Sequence, residues 1–247
     1  MRHHPLNSMT DADLRATLDA LRAAGRRHLI ADAVGDDDLA ALGQALVDEP
    51  LATGASALAA AIAIALRERG DIDRADAPAE HDATGPAAVL AGSCSAATLE
   101  QIARMASRHP ALTLDTTAIA AGNDVVGAAI EWATPRLADG PVLISPSAGT
   151  GADGRVSDAH GPAIERALAT VACRLVDGGV RRLVVAGGET SGAVIEALGI
   201  RLLEVGAEIE PGVQWVVARE PVPLTLVLKS GSFGSPDFFA RALGEML

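Results

Sequence analysis

From Ala87 onward, short apolar runs alternate with segments of helical periodicity, and this alternation limits the folds open to the chain more than any other feature. Ala87–Ala91, Leu112–Asp115, Pro141–Ser145 and Arg182–Ala186 read as strands. Gly92-Ser93-Cys94-Ser95 turns into a helix through about Ser107, helical patterns run from Asn123 to Leu137 and from about Pro162 to Val176, and the segment Gly187–Gly192 leads into a helix ending at Gly199. Leu202–Ile209, Gln214–Ala218 and Leu224–Leu228 are further β runs, too closely spaced for intervening helices, and a last helix is expected from Pro236 to the C-terminus. Apolar runs without polar alternation suit strands covered on both faces. The expected fold is therefore α/β: a largely parallel sheet with helices on both faces, Rossmann-like, over residues 86–247.

Residues 1–75 read as a small partial α/β lobe. Thr10 is a candidate N-cap before Leu14, Leu18 and Leu21 at helical spacing. His28–Val34 is a candidate buried strand, Asp36–Asp48 a helix with an acidic start, and Thr53-Gly54-Ala55-Ser56 opens an Ala-rich helix to about Arg67. The polar, acidic stretch Gly70–Gly85, with Pro78, marks the boundary.

Composition removes whole classes of function. With 247 residues and 49% hydrophobic content the chain carries a real core, and a net charge of -12 repels phosphate backbones and anionic lipid. Neither nucleic acid nor membrane is an expected partner. The longest apolar run, near Ala57–Leu66, is about half of the ~20 residues a bilayer span needs. Met1–Thr10 is polar and contains Pro5, unlike a secretory signal. Cys94 and Cys173 cannot form a disulfide framework, which fits a reducing cytoplasm.

Three Gly/Ser/Thr-rich segments each follow a strand directly, where ligands of open α/β sheets bind. They are Gly92-Ser93-Cys94-Ser95, Gly187-Gly188-Glu189-Thr190-Ser191-Gly192 and Lys229-Ser230-Gly231-Ser232-Phe233-Gly234-Ser235. Backbone N–H groups unobstructed by side chains cradle anions, so three such loops at one sheet edge point to a polyphosphate. Gly149–Gly154 has the glycine content of a flap. Neither the P-loop nor the dinucleotide fingerprint occurs, and Glu189 breaks a G-x-S-x-G elbow at Ser191. Lys229 is the sole lysine among twenty basic residues, placed where a compact ammonium meets a phosphate. Glu189 suits a ribose hydroxyl or Mg²⁺ through water, or simply a helix first turn. Cys94 lacks an assignable His partner, and the six histidines lack zinc-site spacing, so no metal site is expected.

VVAGGETSGAVIEALGI (Val184–Ile200), GAEIEPGVQW (Gly206–Trp215) and LVLKSGSFGSPDFF (Leu226–Phe239) closely resemble the C-terminal nucleotide-binding domain of four-carbon acid sugar kinases. VLAGSCSAATLEQI (Val89–Ile102) is similar to the segment opening that domain. HHPLNSMTDADL (His3–Leu14) and DEPLATGASALAAAI (Asp48–Ile62) resemble the preceding substrate domain, of which residues 1–75 would be a remnant. The resemblance implies an ATP-dependent, Mg²⁺-assisted kinase phosphorylating 3-oxo-tetronate, threonate or erythronate at the 4-hydroxyl. By position it makes Ser93, Gly188, Glu189, Thr190, Ser191 and Gly231 ATP contacts, to which the loop argument adds Ser95, Gly187 and Lys229. The family's D-D-x-T-G-type acidic motif has no counterpart here, and Gly54-Ala55-Ser56 replaces its Gly-Gly-Ser. The chain is therefore expected to begin inside the substrate domain and to be incomplete alone, the missing half being separately encoded, removed or lost; an exposed edge around residues 1–70 would favour a homo-oligomer. No catalytic base is assigned; Asp115 and Asp158 are substitutes. The other reading is a non-catalytic nucleotide-binding or effector protein.

Overall fold

The computed structural model describes residues 11–73, 78–79, 84–147 and 161–244. The Thr10 cap, the Gly149–Gly154 loop and Asp158 lie outside these residues. The chain divides into two compact units, Met1–Ala77 and Pro78–Leu247.

The first unit is helical: α1 (Asp11–Ala23), α2 (Asp36–Leu46) and α3 (Ser56–Arg69). Leu14, Leu42 and Ala45 form its small core, joined by Leu18, Leu46 and Leu58. Helices α2 and α3 touch closely, since a Cβ on Gly43 would lie 2.6 Å from the Ala61 carbonyl carbon. At the start of α2 the Asp38 carboxylate accepts from the N–H groups of Val34 and Gly35, satisfying donors at the helix entry. The α/β expectation for this lobe is corrected here. His28–Val34 forms no strand, and Leu29, Ile30 and Val34 are exposed. An apolar run becomes a strand only where a neighbour pairs its backbone, and among the described residues this unit holds no strand to do so.

The second unit is built on a seven-stranded sheet. Its strands are β1 (Ala87–Ala91), β2 (Ala111–Leu114), β3 (Val142–Pro146), β4 (Arg182–Ala186), β5 (Glu204–Glu210), β6 (Val213–Ala218) and β7 (Leu224–Lys229), in the spatial order β2-β3-β1-β4-β7-β6-β5. The first five in that order are parallel; β6 and β5 complete the sheet antiparallel. Every residue of β1 is buried, as a central parallel strand requires. Alternate side chains of β1 enter two cores. One, with Ala88 and Leu90, is closed by α5 (Thr116–Ala120), α6 (Val125–Ala133), α7 (Gly161–Asp177) and α8 (Gly188–Ala197). The other, with Ala87, Val89 and Ala91, is closed by α4 (Ala96–Ala106) and α9 (Phe238–Ala242). The sequence pattern does not announce α5, a single short helix capped by Asp115. The expected helix Asn123–Leu137 is shorter, starting after its N-cap Asp124.

The chain leaves β1 for β2 on one side and later reaches β4 on the other. The resulting switch point lies between β1 and β4, where open α/β sheets bind ligands beyond the strands' carboxyl ends.

Candidate functional site

The three glycine-rich loops follow β1, β4 and β7, which are neighbours in the sheet. Their last residues lie in one row: Ala91 pairs with Ala186, and Ala186 with Lys229. The loops thus leave the sheet at one level, and hydrogen bonds tie them together. Gly92 and Ser93 both donate backbone N–H to the Ala186 carbonyl, at 2.9 and 3.1 Å. Gly187 N–H donates to the Lys229 carbonyl at 2.9 Å. Ser95 and Thr98 close the ring, their hydroxyls donating to the Gly231 carbonyl at 2.5 and 2.8 Å.

Glycine is required at the contacts. A Cβ on Gly92 would collide with Thr190 Oγ1, and one on Gly231 with Ser93 Oγ. Gly187 has φ +131°, a conformation that L side chains rarely adopt, with Thr190 Oγ1 and the Ser93 nitrogen alongside. Gly188 differs, because a Cβ there meets nothing within 4 Å. It begins α8, which has no side-chain cap, and the N–H groups of Gly188, Glu189 and Thr190 find no acceptor among the described residues. Orphan N–H groups at the positive end of a helix dipole form an anion site.

Lys229 is 2% exposed. Its ammonium donates to Thr98 Oγ1 at 3.1 Å and to the carbonyls of Ser230 and Gly231 at 3.0 and 3.2 Å. No carboxylate among the described residues pairs with it, and burial lowers its pKa to about 8. A buried cation without a counter-charge is costly, and an anion above the loops would offset that cost.

The sequence-derived residues thus meet at one place but serve different ends. Ser95 caps α4, accepting from Thr98 N–H, and its hydroxyl is used on Gly231. Ser93 Oγ accepts from Ser95 N–H. Thr190 is a buried wedge between Gly92 and Gly187. Ser191 is buried with its Oγ unpartnered. Glu189 is exposed and faces Glu165 of α7; burial, with the Glu189 carboxylate beside it, raises the Glu165 pKa above the usual carboxylate range. All three donors of Lys229 are occupied by the protein, so its ammonium sits beneath the loop instead of reaching out of it. Asp115 is likewise occupied, capping α5 through the N–H groups of Thr117 and Ala118.

Sequence reasoning missed Thr98 and Gln101, both buried on α4. Gln101 Nε2 donates to the carbonyls of Phe233, Gly234 and Ser235, fixing the rest of the third loop. The available signal was the succession Ser95, Thr98, Gln101 at steps of three, which places polar residues on the buried face of an otherwise amphipathic helix. Glu210 was also missed; it accepts from both N–H and Oγ of Ser235 at 2.6 Å.

Comparison with known proteins identifies the family. Residues 88–239 match the model of a family described as "Nucleotide-binding C-terminal domain". The chain is 44% identical to a 3-oxo-tetronate kinase of Methylobacterium radiotolerans and 42% identical to one of Cupriavidus necator, each over its full length. It covers 66% and 64% of those two proteins. The crystal structure of a Haemophilus influenzae protein of the DUF1537 family superposes with TM-score 0.67 at 32% identity, covering 96% of this chain and 58% of that one. No described helix is long and apolar enough to cross a membrane. The chain belongs to the four-carbon acid sugar kinase family, whose C-terminal nucleotide-binding domain it carries.

Proposed function

We propose that this chain supplies the ATP-binding part of a kinase that phosphorylates a four-carbon sugar acid, of the 3-oxo-tetronate, threonate or erythronate class, at its 4-hydroxyl. One observation carries the reading: the uncapped start of α8, with open space over Gly188, lies in the same ring of loops as a buried ammonium lacking a counter-charge. Phosphoryl transfer needs chiefly positioning and neutralisation of phosphate charge, and the ring offers both. In this reading Ser93, Gly187, Gly188, Glu189, Thr190, Ser191 and Gly231 form or shape the phosphate cradle, while Ser95 and Lys229 hold it in shape. In this reading Glu189 and Glu165, which face each other at the mouth of α8, would offer Mg²⁺ its hard oxygen donors. Bound there, Mg²⁺ would neutralise phosphate charge. Residues 1–77 would belong to the substrate-binding part, completed by the remainder that the longer relatives carry, joined or separate.

A non-catalytic nucleotide-binding role is the second reading, favoured by the commitment of Asp115 to its helix cap. Turnover separates the two. Incubated with Mg²⁺-ATP, a four-carbon sugar acid and the N-terminal part of a relative, the chain should yield ADP and a phosphomonoester resonance in ³¹P spectra. ATP binding without any turnover would leave the second reading.

A further inference from the structure

The Gly231 carbonyl accepts three hydrogen bonds from inside the protein: Lys229 Nζ at 3.2 Å, Thr98 Oγ1 at 2.8 Å and Ser95 Oγ at 2.5 Å. Few carbonyls need so many donors, and one of these is a full positive charge. The Gly231–Ser232 peptide is trans, the cis bond among the described residues being Glu220–Pro221. In a trans peptide the N–H points opposite to the C=O. With the carbonyl turned inward onto the ammonium, the Ser232 N–H is turned outward, to the solvent side of the loop. Ser232 is exposed and its N–H has no acceptor among the described residues. Donors on the carbonyl oxygen also draw electron density from the amide, making the N–H opposite a stronger donor.

We propose that Lys229 serves as a positioning residue that acts on the nucleotide through the Gly231–Ser232 peptide. Together with Ser95 and Thr98 it grips the Gly231 carbonyl, and the Ser232 backbone N–H, aimed and polarised by that grip, binds a phosphate oxygen of the ligand. The inference rests on the nucleotide-binding reading and adds a binding group to it. It also explains why a glycine stands at 231. A side chain there would collide with Ser93 and force the peptide out of the grip.

Because Lys229 is the sole lysine, ¹⁵N-lysine labelling gives a single ammonium resonance, observed beside the backbone amides while ADP is titrated into the intact chain. The expected result is a large downfield movement of the Ser232 amide, with the Lys229 Nζ resonance keeping its protein partners and moving little. Thr98→Val should shift the Ser232 amide upfield before any ligand is added and weaken ADP about tenfold, the loss of one of the hydrogen bonds that hold the Gly231 carbonyl; Thr98→Ser should restore both. ADP binding that moves Nζ strongly and leaves the Ser232 amide in place would overturn the relay while sparing the nucleotide site. ADP that moves neither resonance and produces no binding heat would overturn the nucleotide-binding reading, and the relay with it.

Discussion

Thr190 occupies the space that a side chain on Gly92 would need: a Cβ on Gly92 would collide with Thr190 Oγ1 and stand 3.1 Å from its Cβ. The first residue after β1 and the third residue of α8 are therefore fitted to each other, which sets the helix start against the strand end. Gly92→Ala should destabilise the protein by about 1–3 kcal/mol through overpacking. Adding Thr190→Ala, which removes the obstructing hydroxyl, should recover much of that loss. Denaturant unfolding of the two single variants and the double variant checks this coupling.

Gly188→Val tests the space above α8. No protein atom lies within 4 Å of a Cβ at this position, so the unfolding midpoint should stay within the effect of an ordinary exposed substitution, about 0.5 kcal/mol. Nucleotide affinity should fall by at least about tenfold, because the isopropyl group stands where phosphates meet the helix N–H groups. A variant with unchanged affinity would remove α8 from the site.

Lys229 gives the site a pH dependence of definite sign. Its pKa is lowered to about 8 by burial, whereas the unfolded chain titrates near 10.4. Between these values the unfolded state holds the extra proton, so the contribution of Lys229 to the stability of the free protein rises with pH across that window. A bound anion favours the ammonium. Nucleotide binding should therefore take up a proton at alkaline pH and weaken as pH rises above about 8. Calorimetry at one alkaline pH in buffers of different ionisation enthalpy measures the uptake, and Lys229→Met should abolish it.

Gln101 anchors the far part of the third loop through three carbonyls. Gln101→Leu leaves those acceptors in search of partners and should cost about 1–3 kcal/mol. Amide exchange at Phe233 through Ser235 should accelerate more than exchange in β1.

The second unit was largely legible in the sequence because buried parallel strands leave unbroken apolar runs such as Ala87–Ala91, and because glycines mark where strands hand over to helices. The three loops could be named in advance, and their common level in the sheet follows from the pairing of Ala91, Ala186 and Lys229. What sequence could not show was the direction of side chains. Lys229 looked like an outward phosphate ligand; its three inward bonds depend on Thr98 and on backbone carbonyls brought in by the fold. His28–Val34 had the composition of a strand, yet strand formation depends on a partner that local sequence does not specify. The Glu165–Glu189 pair joins two helices and has no sequence signature at all.

The central claim is that the ring of loops after β1, β4 and β7 binds the polyphosphate of ATP and is not a dinucleotide site. Calorimetric titration of the chain with Mg²⁺-ATP, with NAD as the control, tests it most directly. The expected result is saturable one-to-one binding of ATP and silence from NAD. Absence of ATP heat, or equal binding of NAD, would contradict it.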